Sequence, residues 1–185
     1  PGVPSTTDGG TETVVLAGFP SIFSGGSSEF TFTSLKLSLW GNAASNDISR
    51  IVMYRDADGS RSLSVGDVSL TSTTFGSLKL ATLNFSETLV SSGDYYITTI
   101  VPIASPTSGT TLQIRIDSNS WLVVQSPDAV NQIGGVMPYT SVVTTLYSPG
   151  FLTLSATTTA PTNLTQGDRD DLLRISLRAN VGEAW

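Results

Sequence analysis

Apolar and polar residues alternate along this chain in short runs, and Gly, Pro, Asn and Asp separate the runs. Alternation marks a half-buried β-strand, because successive side chains leave a strand on opposite faces. Residues 13–17 form a first short run. Residues 30–40 alternate clearly but change phase: Phe30 and Phe32 hold even positions, then Leu35, Leu37 and Leu39 hold odd ones. One extra residue flips the buried face of a strand, so Thr33 and Ser34 are expected to form a bulge. The same device is expected where residues 78–80 give way to 83–85. Further strands are expected at 48–54, 68–74, 95–103, 112–116, 121–124, 142–147 and 151–155. Residues 95–103 are strongly apolar and suit a sheet centre, and in 112–116 the side chains of Gln113 and Arg115 turn outward. No stretch of ten or more residues carries a helical period. Many short strands at regular spacing predict an all-β sandwich or barrel.

The two ends read differently from the middle. Residues 1–12 have almost nothing apolar and read as a flexible segment, ahead of a β-sandwich domain over 13–150. Residues 151–185 read as a linker followed by one more strand. Thr, Ala, Pro and Asn fill 157–165, a charged run spans Gly167 to Asp171, and then Leu173, Ile175 and Leu177 alternate with Arg174, Ser176 and Arg178. An unpaired amphipathic strand must find a partner. Three readings stay open: it pairs with the preceding domain, it opens a following copy, or it is donated to a neighbouring subunit. In the last, Leu172, Leu173, Ile175 and Leu177 are the subunit contact.

Composition narrows the functions. The 185 residues include no His and no Cys. That removes the commonest general base, disulfides, thiolate chemistry and a Ser-His-Asp triad, so a non-enzyme is expected. Lys and Arg number 9 against 15 Asp and Glu, for a net charge of −6. Nucleic acid is therefore not an expected partner, because binding phosphates needs a basic face. No run approaches the roughly 20 apolar residues of a membrane helix, so membrane insertion is not expected. Richness in Ser, Thr and Gly, with Pro1 rather than Met opening the chain, fits a processed or partial chain from outside the cell or at its surface.

One segment carries possible metal chemistry. From Asp56 to Asp67, oxygen-bearing side chains occupy positions 1, 3, 5, 7, 9 and 12 of a twelve-residue loop: Asp56, Asp58, Ser60, Ser62, Ser64 and Asp67. Those are the ligand positions of a calcium loop. A hard cation wants six to eight oxygens, and alternate side chains on a curling loop converge on one point. Position 6 is Arg61 instead of the usual Gly, and position 12 is Asp instead of the longer Glu. The flanks are strands, so the alternative is a polar hairpin loop built on Asp-Gly turn chemistry.

The strand Ile48-Ser49-Arg50-Ile51-Val52-Met53-Tyr54-Arg55-Asp56 runs into Ala57-Asp58-Gly59, and Gly66-Asp67 closes the loop. Gly93-Asp94-Tyr95-Tyr96-Ile97 and Gly109-Thr110-Thr111-Leu112 follow at later strands. This order resembles a recurrent unit of large secreted bacterial and archaeal surface proteins, whose members are tandem immunoglobulin-like β-sandwich repeats. The likeness spans residues 30–128 and is most specific over 54–67. It implies an immunoglobulin-like antiparallel sandwich with extended terminal strands, a structural or adhesive unit of a surface protein or filament. Its implied partners are copies of itself or neighbouring repeats. Residues 152–185 resemble the opening strands of a following copy. A rival function is a carbohydrate-binding accessory module of a larger secreted enzyme, with a surface glycan as partner. Trp40, Trp121, Tyr95, Tyr96 and Tyr139 would then supply stacking faces, whereas core packing is the ordinary use of such rings.

Overall fold

Alternation becomes strand wherever the apolar half of a run has a core to enter. The computed structural model describes residues 6–18, 29–89, 95–130, 137–150, 152–158, 163, 166 and 173–179. Its strands in chain order are β1 (Thr6–Asp8), β2 (Thr13–Gly18), β3 (Phe30–Gly41), β4 (Ile48–Asp56), β5 (Val68–Thr73), β6 (Leu80–Leu89), β7 (Tyr95–Pro102), β8 (Thr111–Ile116), β9 (Leu122–Val124), β10 (Tyr139–Thr140), β11 (Thr144–Tyr147), β12 (Leu152–Thr158) and β13 (Leu173–Ala179). The described residues contain no α-helix, only the 3-10 turns Ser45–Asp47 and Asn119–Trp121. The protein is all-β. Its contacts divide into two compact units, Pro1–Ser148 and Pro149–Trp185.

The first unit holds two sheets. One has the order β2-β7-β4-β5. The other runs β1-β11-β8-β3-β6, with β9 beside β3 and β10 beside β8. A single apolar cluster draws on both: Val15, Ile51, Met53 and Ile100 from the first, and Phe32, Leu35, Leu37, Leu39, Leu83, Leu112, Ile114 and Leu146 from the second. Each such side chain contributes about 1.5–3 kcal/mol when fully buried. The apolar strand β7 is interior to its sheet, between β2 and β4.

Strand β3 shows how the sequence sets the register. Its pairing shifts between Phe32 and Ser34 against both β6 and β9, at the expected bulge. The shift lets Phe32 and Leu35 both face the core. The Thr33 hydroxyl donates to the Val123 carbonyl at 3.0 Å, so the irregular residue is tied across to β9. The phase change expected between residues 78–80 and 83–85 takes another form. Ala81 and Leu83 are buried in one phase of β6, while Leu78 lies in the preceding turn and is fully outside the core. There Gly76 and Leu80 close the turn through Gly76 N–H to Leu80 O at 2.9 Å.

Two other segments depart from their sequence reading. Thr6–Asp8, within the stretch read as a flexible segment, is strand β1 and runs parallel to β11. Its backbone pairing holds it there, and apolar pattern plays no part. Residues 142 and 143, expected in a strand, precede β11 with both valines exposed.

Polar contacts pin the strand connections. The buried Asp47 carboxylate accepts the Ala44 amide at 2.8 Å and the Thr107 amide and hydroxyl at 3.1 Å each, which joins two loops. Glu12 accepts the Tyr54 hydroxyl at 2.8 Å and the Thr99 hydroxyl at 2.6 Å, so the entry to β2 is tied to β4 and β7. Burial, then the hydrogen bond to Glu12 and its charge, push the Tyr54 phenol up to about 12.

Gly41 ends β3 with φ +99°, and a Cβ added there would lie 2.2 Å from the Thr111 carbonyl oxygen. Both strain and overlap oppose any larger residue. Gly41→Ala is therefore expected to destabilise the first unit by more than about 2 kcal/mol. Urea unfolding measures this, and an unchanged midpoint would mean that β3 and β8 do not approach each other as described.

Candidate metal centre

The loop between β4 and β5 starts where β4 leaves its sheet at Asp56 and closes at Asp67. Its path needs two left-handed residues. Gly59 has φ +69° and Arg61 φ +60°. The first uses the freedom of glycine, and the second holds a side-chain residue where the loop curls back.

The curl brings Asp56, Asp58 and Asp67 together, with one carboxylate oxygen from each lying within 4.8 Å of the other two. Asp56 is buried, Asp67 half-buried and Asp58 exposed. Backbone amides offset the repulsion of three carboxylates. Asp56 accepts the Ser60 amide at 3.2 Å and the Arg61 amide at 2.7 Å. Asp58 accepts the Ser60 amide at 2.9 Å. Asp67 accepts the Ala57 amide at 3.0 Å and the Ser64 amide at 2.7 Å, so one carboxylate clasps both sides of the loop. The Ser60 hydroxyl and then the Ser60 amide hold the Asp58 carboxyl below the usual carboxylate range.

The Ser60 hydroxyl, which also interacts with Asp58, lies 3.0 Å from the Ser62 carbonyl, and the Ser62 hydroxyl donates to Ser60 Oγ at 3.2 Å. The Ser64 hydroxyl oxygen is sealed from solvent and adds, after Ser60 and Asp56, to the lowering of the Asp58 carboxyl. The structure thus brings together the three aspartates of the sequence-predicted set, with Ser60 and Ser64 against Asp58 and Ser62 against Ser60. Three carboxylates, with spare lone pairs on each, are a donor set suited to a hard divalent cation. The clasp by Asp67 had no signal in the sequence beyond its place at the loop's end.

The predicted subunit-contact residues lie in the second unit. β13 pairs antiparallel with β12, with Leu154 opposite Leu177 and Ala156 opposite Ile175. Leu173 and Ile175 are exposed, and Leu172 lies outside the described residues. The aromatic residues do not share one face. Tyr96 is in the core, and the Tyr95 side chain lies outside those described. Trp40 stands opposite Gln113 and Tyr139 opposite the buried Ile116, so these two rings leave opposite faces of the sheet.

Removing the Asp67 carboxylate strands the Ala57 and Ser64 amides. Asp67→Ala is expected to cost about 1–3 kcal/mol even in metal-free buffer. Hydrogen exchange at those two amides, faster in the variant, locates the loss; unchanged protection would mean that Asp67 does not clasp the loop.

No family model matches the chain, and no curated protein matches it. Among solved structures it is similar to the "Hadza microbial sialidase Hz136", with a TM-score of 0.51 and 14% identity. The match covers 80% of this chain and 30% of that one, so this chain spans less than a third of that protein's length. At this identity the likeness is one of fold.

Proposed function

We propose that the chain is a non-catalytic structural or adhesive unit of an extracellular surface protein or filament. Its first unit is an immunoglobulin-like sandwich, and its terminal strands join it end to end with further copies. The observation that carries this reading is an internal recurrence. Leu35-Lys36-Leu37-Ser38-Leu39 of β3 returns as Leu173-Arg174-Ile175-Ser176-Leu177 of β13. At the same offset and without a gap, Val14 and Leu16 of β2 return as Leu152 and Leu154 of β12. Recurrence of this kind marks tandem units that bury their apolar faces against further strands. The paired β12 and β13 have those faces uncovered, with Leu154, Leu173 and Ile175 between 56% and 66% exposed. A two-stranded ladder is marginal in water by itself, and partner strands supply what it lacks.

Deleting residues 172–179 is expected to abolish concentration-dependent assembly, as seen by sedimentation velocity, while the first unit keeps its melting temperature. Identical polymers after the deletion, or a monomeric intact chain at every concentration, would sink the end-to-end reading.

The same proposal assigns a calcium ion to Asp56, Asp58 and Asp67, with the Ser64 hydroxyl beside them. A cation that binds only the folded state raises stability by mass action. At about tenfold excess over its dissociation constant, calcium is expected to raise the melting temperature by about 3–6 °C. Chelator reverses the rise and Asp56→Ala abolishes it. A melting temperature indifferent to calcium reduces the loop to a clasped turn.

A second reading is a carbohydrate-binding accessory module of a larger secreted enzyme. Two observations favour it: the fold recurs within 30% of a sialidase chain, and Trp40 is half-exposed on an outer sheet face.

A further inference from the structure

Strand β3 lies between β8 and β6, and Trp40 leaves its outer face near the end of the strand. On the β8 side, the Arg115 guanidinium carbon sits 3.9 Å from the ring centroid of Trp40. Arg115 is held there by Asp117 at 2.9 Å, and Asp117 also accepts the Ser38 hydroxyl at 2.8 Å. One face of the indole is therefore covered by a braced cation. Trp40 is nevertheless 50% exposed. Trp40 also lines a cleft of about 360 Å³ together with Gly41, Leu78, Lys79 and Leu80, on the side of β3 that pairs with β6.

The far wall of that cleft is unusual in two ways. Leu78 is 82% exposed at the tip of the turn. Lys79 takes φ +58°, a left-handed conformation that glycine adopts without strain and lysine does not. Strain of this kind is held by its surroundings and clusters at functional positions. The Lys79 ammonium donates to the carbonyl of Gly41, the residue after Trp40, at 3.0 Å, which puts a positive charge with donors to spare in the lining of the same cleft. On the outward positions of β3, β6 and β8 the charged groups are Lys36, Lys79 at the turn, Arg115 and the already paired Asp117, so this face is cationic on a chain of net charge −6.

We propose that Trp40, Lys79 and Leu78 form a binding site for a saccharide that carries a carboxylate. The sugar ring stacks on the free face of Trp40, its apolar edge meets Leu78, and its carboxylate meets the Lys79 ammonium. A flat ring on an aromatic face and a charge-assisted hydrogen bond are the two contacts this cleft offers. The volume suits one or two sugar rings. The proposal rests on the reading of the chain as a glycan-binding module, and it adds the place and the charge of the ligand.

The test uses matched pairs that differ in the carboxylate: sialyllactose against lactose, and trigalacturonate against its carboxyl-reduced trisaccharide. Calorimetry and tryptophan fluorescence with the full chain read the binding. In at least one pair the acidic member is expected to bind about fivefold or more tightly than the neutral one, with the difference shrinking in high salt. Trp40→Ala abolishes binding of both members. Lys79→Gly relieves the left-handed strain, so its melting temperature holds or rises, while the acidic preference falls to parity. If both members of a pair bind equally, the carboxylate assignment is overturned and the glycan-binding module stands. If none of the four sugars binds, both the site and the module reading fall. If Lys79→Gly keeps the acidic preference, Lys79 is not the recognising group.

Discussion

Strand β3 must satisfy two edges and two faces at once, and the first unit depends on that constraint. One of its edges pairs with β6, and the other is shared by β9 near the start and β8 near the end. Its inner face sends Phe32, Leu35, Leu37 and Leu39 into the common core. A strictly regular strand would put Phe32 on the wrong side of Leu35. The irregularity between Phe32 and Ser34 resolves this within the stretch paired to β9, and the shared edge passes from β9 to β8 further on, between Leu35 and Ser38. The outer face inherits what is left: Lys36, Ser38 and Trp40. Lys36 lies over the Trp121 ring at 5.0 Å, and Trp40 meets Arg115, so the polar side of the strand is organised by cations on indoles.

The hairpin loop after β4 obeys a different balance. Three carboxylates in close approach repel one another, and five amide contacts from Ala57, Ser60, Arg61 and Ser64 hold them without a cation. The loop therefore has a reason to exist as a turn, and its clasp is closed by the protein's own amides. Substitutions that remove a carboxylate remove a cap whether or not a cation binds, so only dependence on an added ion separates a turn from a metal centre.

Most strands were legible because the core demands alternation, and the bulge in β3 was legible because the apolar phase breaks at a definite place. Leu78 and Leu80 misled for the same reason: a leucine in an alternating run reads as core, but the turn closed by Gly76 and Leu80 sets Leu78 at its tip. β1 left no apolar trace, since Thr6, Thr7 and Asp8 are held by backbone pairing to β11. Trp40 was legible in principle. The phase of Leu35, Leu37 and Leu39 already turns it outward, although the size of an indole favours the core. In the loop, the spacing of the aspartates announced their convergence, whereas the contact of Ser62 with Ser60 depends on backbone geometry that spacing does not encode.

The parallel pairing of β1 with β11 has a mechanical meaning. Thr6 faces Thr145 and Asp8 faces Tyr147, so the chain enters this ladder at one end and leaves it at the other. A pull on the two ends of the first unit slides the strands along each other, and every bond of the ladder is loaded together, with the Gly9 amide to the Tyr147 carbonyl at 2.8 Å among them. Peeling would break such bonds one at a time. A ladder three residues long thus resists separation of the two ends of the first unit in shear, as a latch does.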